Sequence, residues 1–264
     1  MKTMHTPGFP VTKAASPVLS ALRERIQRLE RGTMHHGSVH GAVLPFGIKT
    51  MDQRLPEGGL ALGALHEVGG SGRDATHAAA AALFAAGIAA RTRGRVLWCI
   101  TRQDLFAPAL EQAGLSSNRV IYAEANDEPS LLSCFEEGLR HRGLGAVVGE
   151  ITALSMTASR RLQLAAEGTG VIGIALRRWR RPEISAFGQT AAVTRWRVST
   201  LPSVPLPVAG VGRACWRLEL IRCRGGEGAR FDVEACDAQG RLALSDRMAD
   251  RSDPEATGRC RATS

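Results

Sequence analysis

The chain has 264 residues, of which 44% are hydrophobic and 22% are charged. This composition is typical of a soluble globular protein, and the length suffices for one sizeable core. No apolar run approaches the roughly 20 residues that a membrane-spanning helix needs, and residues 1–17 lack the continuous apolar stretch of a secretory signal. We therefore expect a cytoplasmic protein with one main domain and no membrane association.

Basic residues exceed acidic ones, 34 against 25, which gives a formal net charge of +9. Such a charge favours a nucleic-acid partner through attraction to phosphate. Only Lys2, Lys13 and Lys49 are lysines, however, and a GC-rich coding sequence explains so strong an arginine bias equally well. The charge alone does not decide between these readings.

The six cysteines form no C-x-x-C pair and have no histidine at zinc-finger spacing. We therefore predict reduced thiols rather than a disulfide framework or a structural zinc site. His35, His36 and His40 lie in a glycine-rich stretch without a fixed scaffold, so we expect no bound metal there either.

Residues 1–41 are predicted to stand apart from the core. Residues 17–31 place apolar side chains three to four apart among arginines and glutamates, which indicates an amphipathic helix. Residues 32–41 are glycine-rich and polar, as a linker is. The helix packs either on its own domain or on a partner, and its candidate docking residues are Leu22, Ile26 and Leu29.

Residues 42–244 are predicted to form the core, and the polar residues 245–264 a disordered tail. We expect strands at 62–68, 95–101, 119–123, 145–149 and 170–176, and helices at 75–92, 104–114, 129–141 and 157–167. Apolar strands separated by helices specify an α/β fold with a mostly parallel sheet covered on both sides. After residue 176, apolar and polar residues alternate at 194–199, 216–223 and 230–235, which indicates added antiparallel strands with one wet face.

A glycine-rich turn between the first core strand and its helix is a candidate anion site. Backbone N–H groups of such a turn and the helix N-terminus converge on one point. The candidate phosphate contacts are Gly69, Gly70, Ser71, Gly72, Arg73 and Thr76. A working loop reads G-x-x-x-x-G-K-[ST], whereas Gly72, Arg73 and Asp74 stand where we place Gly-Lys-Ser/Thr. The loop therefore either joins strand to helix or retains nucleotide binding without efficient hydrolysis.

The segment 55–60 (LPEGGL), followed by Gly63 and by 66–69 (HEVG), resembles the start of the core in RecA-type recombinases, and the order of elements over 47–226 follows that family. Within it, the chain most closely resembles the ImuA family, RecA-like accessory proteins of the bacterial damage-induced (SOS) mutagenesis cassette. The resemblance implies a RecA-like core. It also implies two partners, the Y-family-like protein ImuB and an alternative replicative-type polymerase subunit, with RecA and single-stranded DNA as further candidates.

Two departures from the RecA pattern indicate a chain that is not an enzyme. Arg102 and Gln103 stand where RecA proteins carry the glutamate that activates water. Gly149 falls where the metal-linked aspartate is expected, with Glu150 one position late. We therefore predict no catalytic residues and no required cofactor, and we keep Glu150 as part of a vestigial nucleotide site.

The resemblance also suggests DNA and inter-subunit contacts. The second DNA-binding loop would carry Arg177, Arg178, Trp179, Arg180, Arg181, Arg195 and Arg197. Arginines contact phosphate, and Trp179 and Trp196 would stack on bases. Arg222 and Arg224 match the basic pair that RecA proteins present to the ATP of a neighbouring subunit. The alternatives are a solvated rim of arginines around packed tryptophans and a basic hairpin tip.

A second class of function remains open at this point. Cell-division inhibitors similar to SulA share a RecA-like core without a phosphate loop, and they bind the tubulin-like division protein. The glycine turn and the additional C-terminal strands of this chain favour the ImuA family over that alternative.

Overall fold

The computed structural model describes residues 42–72, 75–178, 187–203, 206 and 208–245. The predicted helix with Leu22, Ile26 and Leu29 lies outside the described residues, as does the tail from 246 onward. The proposed docking role of that helix and the domain boundaries therefore stay predictions.

A small antiparallel pair and a large mixed sheet contain all the strands of the described residues. The strands are β1 (Val43–Leu44), β2 (Leu60–Ala61), β3 (Leu65–Gly70), β4 (Arg95–Ile100), β5 (Val120–Glu124), β6 (Leu144–Ile151), β7 (Ile172–Arg177), β8 (Thr194–Leu201), β9 (Cys215–Cys223), β10 (Ala229–Glu234) and β11 (Ala243–Leu244). The large sheet has the order β11-β10-β9-β8-β3-β7-β6-β4-β5. Its strands from β8 to β5 are parallel, and those from β8 to β11 are antiparallel.

Helices cover both faces of the parallel strands. They are α1 (Lys49–Asp52), α2 (Ala75–Ala90), α3 (Ala107–Gln112), α4 (Glu128–Arg140) and α5 (Met156–Ala166). One core cluster lies between the sheet and α2, and the second lies between the sheet and α4 with α5. We call these two sides the α2 face and the α4–α5 face. None of the helices within the described residues is long and apolar enough to cross a membrane.

Local interactions fix where the helices begin and end. The Asp127 side chain accepts the backbone N–H of Ser130, which caps α4, and Ser155 caps α5 in the same way through Ala158. Arg119 donates to carbonyls at and just beyond the last turn of α2, where positive charge is favourable. The alanine-rich α2 packs closely, with Phe84 centred 5.8 Å from the ring of the buried Trp196.

The predicted order of strands and helices is confirmed, with two informative differences. The first core strand begins at Leu65 rather than at 62, because Gly63 makes a turn with φ +65° that favours glycine. The strand predicted at 194–199 is not simply antiparallel with one wet face. It is parallel to β3 on one side and antiparallel to β9 on the other, so β8 is where the sheet changes direction.

Candidate functional site

A cavity of about 980 Å³ opens at the carboxyl edge of the parallel strands. One wall is apolar and consists of residues of α2 and of the α3 region, such as Leu83 and Phe106. The opposite wall is polar and includes Asp104, Glu150 and Arg178. Ligands of open α/β sheets bind at this edge, and the volume falls within the range of small-molecule sites.

The first two glycines of the predicted loop belong to the strand, which corrects their assignment as loop residues. Gly69 pairs with Arg177 of β7 and Arg197 of β8. A Cβ atom on Gly70 would lie 2.7 Å from backbone atoms of His77, so glycine at this position permits the close approach of α2 to the sheet. Of the described residues 69–72, Gly72 is the one that lines the cavity.

The remaining loop begins with Ser71, whose N–H donates to the Val198 carbonyl at 2.8 Å. Gly72 has φ +74° and lines the cavity. Arg73 lies outside the described residues, so its predicted contact with an anion stays a prediction. In the described part of the loop, Gly72 therefore borders the cavity, whereas the Ser71 N–H is already used by β8.

The start of α2 changes how the loop aligns with G-x-x-x-x-G-K-[ST]. That motif joins a strand to a helix, and counting its eight positions from Gly69 places Asp74, Ala75 and Thr76 at the last three. This alignment corrects the one made from sequence at Gly72 to Asp74. Ala75 lines the cavity where the motif carries lysine, whereas Thr76 retains a hydroxyl. The side chain that would reach the β- and γ-phosphates is therefore missing.

Glu150, not Gly149, is the β6 residue that faces the cavity. Successive side chains of a strand point to opposite faces. A Cβ atom on Gly149 would lie 2.5 Å from the Phe135 ring on the α4–α5 face. Glu150 points to the α2 face, where it accepts a hydrogen bond of 3.0 Å from the Trp98 indole Nε1. Gly149 is therefore not the position of a lost aspartate. The Glu150 carboxylate, one residue later, is the one on the cavity side of the sheet.

Arg178 joins two carboxylates across the polar wall. Its guanidinium pairs with Asp104 and lies 3.4 Å, from Nε to Oε2, from Glu150. Burial raises the pKa of Glu150 above its ordinary value, while the charge of Arg178 and the hydrogen bond from Trp98 oppose that rise. The sequence assigned Arg178 to DNA contact, and the structure instead places it at the cavity. Asp104 was not identified from the sequence at all.

Two other predicted DNA contacts are buried in the α4–α5 face. Arg195 Nε donates to Glu67 at 2.9 Å, and Arg177 Nη1 lies 3.3 Å from the other oxygen of that carboxylate. Thr190 donates its hydroxyl to Glu67 as well. Trp196 is fully buried in the α2 face. Arg177, Arg195 and Trp196 are therefore removed from the candidate DNA surface, because strand residues of a covered sheet point into its cores.

The remaining arginines have mixed positions. Arg197 is partly exposed, with Nη1 3.5 Å from Glu219, and remains a candidate DNA contact. Trp179, Arg180 and Arg181 lie outside the described residues, so their predicted roles are unchanged.

The predicted inter-subunit pair lies at the opposite edge of the sheet from the cavity, beside the first residue of β8. Arg222 donates to the Thr190 carbonyl at 2.7 Å, and Arg224 donates to the Ala191 carbonyl at 3.0 Å. These bonds anchor the segment before β8. Contact with a nucleotide of a neighbouring copy stays a prediction.

The fold and the carboxyl-edge cavity define a RecA-like protein. The crystal structure of the RadB recombinase superposes with a TM-score of 0.50 at 19% identity, over 75% of this chain and 98% of that chain. A likeness at this identity shows the fold alone. No protein-family model matches the chain.

Curated relatives give the family. Protein ImuA from two strains of Caulobacter vibrioides, NA1000 / CB15N and ATCC 19089 / CIP 103742 / CB 15, is 40% identical over 208 residues. The match covers 74% of this chain and 84% of each relative. The chain belongs to the ImuA family, as the sequence motifs indicated. This membership supports an accessory role in damage-induced mutagenesis.

RecA-like ATPases use Mg²⁺ with their nucleotide, but the residues here do not fit that ion. The lysine position is Ala75, and four carboxylates line the cavity. Asp104 and Glu150 pair with Arg178, whereas Asp127 caps α4 and Glu128 accepts backbone hydrogen bonds from residues 152 and 153. Within the described residues, no group of three or more His, Cys, Asp or Glu side chains is placed to hold a metal ion. Asp104 and Glu150 are thus bridged by a protein cation.

Proposed function

We propose that the chain is a non-catalytic RecA-like accessory protein in SOS-induced translesion DNA synthesis and mutagenesis. It acts through contacts with an ImuB-like Y-family protein and the associated alternative polymerase subunit, with RecA as a further candidate partner. Membership of the ImuA family supports the process. The side chains around the cavity support the absence of catalysis.

One observation carries the non-catalytic part of the proposal: the Arg178 guanidinium lies between Asp104 and Glu150. ATP hydrolysis requires a metal ion that neutralises developing charge and a group that positions the attacking water. Asp104 and Glu150 already pair with Arg178, and Glu150 also accepts from Trp98. With Arg178 between them, these carboxylates are occupied by a protein cation rather than by a metal ion.

Partner contacts and DNA contacts are proposed for different parts of the chain. The docking residues are Leu22, Ile26 and Leu29 of the predicted N-terminal helix. The DNA contacts retained after the structural corrections are Trp179, Arg180, Arg181 and Arg197. A basic segment whose sequence includes a tryptophan suits sequence-tolerant binding of single-stranded DNA.

The non-catalytic proposal is tested by phosphate release from ATP in the presence of Mg²⁺ and single-stranded DNA, with a RecA recombinase as positive control. We expect no release above the protein-free rate. A RecA-like rate stimulated by DNA would overturn the proposal.

The partner proposal is tested by purification of the tagged chain from DNA-damaged cells. We expect an ImuB-like chain to be retained, and the triple variant Leu22→Ser, Ile26→Ser, Leu29→Ser to lose it. The matched control is Arg23→Ser, Arg28→Ser on the polar positions of the same predicted helix, which should retain the partner. Recovery of the tubulin-like division protein without a polymerase partner would instead favour a division inhibitor.

A further inference from the structure

The Arg178 guanidinium pairs with two of the carboxylates that line the cavity, Asp104 and Glu150. We propose that Arg178 is a built-in cation that occupies a divalent-cation position between Asp104 and Glu150. This inference rests on the proposed function and deepens it, because it explains how the two carboxylates at the carboxyl edge of the sheet are balanced without a metal ion. Removal of the guanidinium should expose a pair of carboxylates able to bind a divalent ion.

The need for a cation at this place follows from burial. The side chain of Glu150 is 4% exposed, whereas those of Arg178 and Asp104 are 26% and 45% exposed. A carboxylate this deeply buried is strongly destabilising unless it is paired or takes up a proton. Arg178 provides the pairing from the residue just after β7, which lies beside β6 in the sheet.

The two carboxylates provide the ligands that a hard divalent cation prefers. The Oε1 atom of Glu150 is held by the Trp98 indole, and this leaves Oε2, the atom that faces Arg178, for a ligand bond. Asp104 is open to solvent on the cavity side. Magnesium-like ions bind proteins through one or two carboxylates and keep several waters, which such a half-open position allows.

The arrangement also has a consequence for regulation. A site that binds its cation together with a nucleotide changes its charge when the nucleotide leaves, whereas a site neutralised by an arginine does not. The carboxyl edge of this sheet therefore keeps one electrostatic state. Association with partners should then be independent of ATP and of Mg²⁺.

The test is Mn²⁺ binding to the full-length chain, measured by electron paramagnetic resonance of the free ion. Arg178→Gln removes the charge and keeps a side chain that can hydrogen bond, and we expect at least about tenfold tighter Mn²⁺ binding than in the wild type. Adding Asp104→Asn and Glu150→Gln should abolish the gain. Arg178→Lys keeps a cation and should behave as the wild type.

The matched control is Arg102→Gln. Arg102 lines the same cavity and forms no ion pair with any residue that the structure describes. Its loss should leave Mn²⁺ binding unchanged, which separates a vacated ion position from a general loss of positive charge. Equal Mn²⁺ binding by the wild type, Arg178→Gln and Arg102→Gln would overturn the inference.

If Arg178→Gln folds poorly, its melting temperature with and without Mn²⁺ still tests the inference. An ion that binds only the folded state raises the melting temperature. Mn²⁺ should therefore stabilise Arg178→Gln and have no such effect after the two carboxylates are also replaced, and failure to stabilise it would contradict the inference. If Mn²⁺ does not stabilise Arg178→Gln but the wild type does not hydrolyse ATP, the inference fails and the proposed function stands. ATP hydrolysis by the wild type would instead refute the proposed function.

Discussion

Arg177 and Arg178 are neighbours in the sequence but have opposite environments. Arg177 ends β7 in the α4–α5 face, where it is 4% exposed and pairs with Glu67. Arg178 turns to the cavity on the other side and pairs with Asp104 and Glu150. The first cluster is closed around a buried carboxylate, and the second borders solvent.

The same contrast separates His66 from Glu67 on β3. Glu67 is shared by two arginines in the α4–α5 face. His66 lies in the α2 face and is held neutral by its surroundings, since burial lowers its pKa to about 4. The side of the sheet that each residue faces, rather than the number of arginines, thus decides which charges stabilise the fold and which border a site.

The largest expected effect comes from the closed cluster. Glu67→Gln removes the carboxylate shared by the buried Arg177 and Arg195, and we expect the free energy of unfolding to fall by about 3–5 kcal/mol. Urea denaturation followed by circular dichroism measures the change. The matched control is Glu219→Gln on β9, where Glu219 pairs with the partly exposed Arg197 and Arg230. For this variant we expect the free energy of unfolding to fall by less than about 1 kcal/mol. Equal losses for the two variants would contradict the distinction between closed and open clusters.

A smaller effect is expected on acidification. The Nε2–H group of His66 donates to the Ala61 carbonyl at 2.9 Å, so Nδ1 accepts from the Thr194 hydroxyl at 2.8 Å. Because the folded pKa is about 4 and the ordinary value is higher, the unfolded chain binds the proton first as pH falls. Stability should therefore decrease from about pH 6.5 to about pH 4, with a loss of about 2 kcal/mol by about pH 5.

Urea unfolding at neutral and mildly acidic pH measures this dependence. His66→Gln should lose less stability on acidification than the wild type. His141→Gln, at an exposed histidine, should keep the wild-type dependence. The role of His66 is refuted by identical pH profiles for the wild type and His66→Gln.

The smallest expected effect concerns DNA and extends the comparison to the segment after β7. Arg180→Ala with Arg181→Ala should weaken binding of single-stranded DNA and lower the salt slope by about 1.4, since each phosphate contact on a single strand contributes about 0.7. Arg230→Ala removes an exposed arginine of β10 that pairs with Glu219, and it should leave the salt slope unchanged. Fluorescence anisotropy over a salt series measures both. An unchanged slope in the double variant would exclude these arginines as contacts.

The order of the longer elements was predictable because each has a local signal, such as the apolar run of β4 or the cap at Asp127. The short elements α1, β1, β2 and β11 have only two to four residues and were not predicted. The pairing of charges was not predictable. Arg195 and Glu67 are separated by 128 residues, and Arg178 and Asp104 by 74. Such pairs depend on which strands become neighbours, and the sequence does not state that order.

The sequence could not show which side of the sheet Gly149 and Glu150 face, because that depends on which helix covers each side of β6. The alignment of the glycine loop depended on the first residue of α2. Alternation along β7 could have separated Arg177 from Arg178, but it could not have shown which of them borders the cavity.

The Mg²⁺ dependence of nucleotide binding tests most directly whether Arg178 supplies the cation of this site. Binding of a fluorescent ATP analogue to the wild-type chain would be titrated with Mg²⁺ and again with a chelator. We predict either no saturable binding or the same affinity under both conditions. Binding tightened by about tenfold or more with Mg²⁺, about 1.4 kcal/mol, and lost in Glu150→Gln would contradict the account.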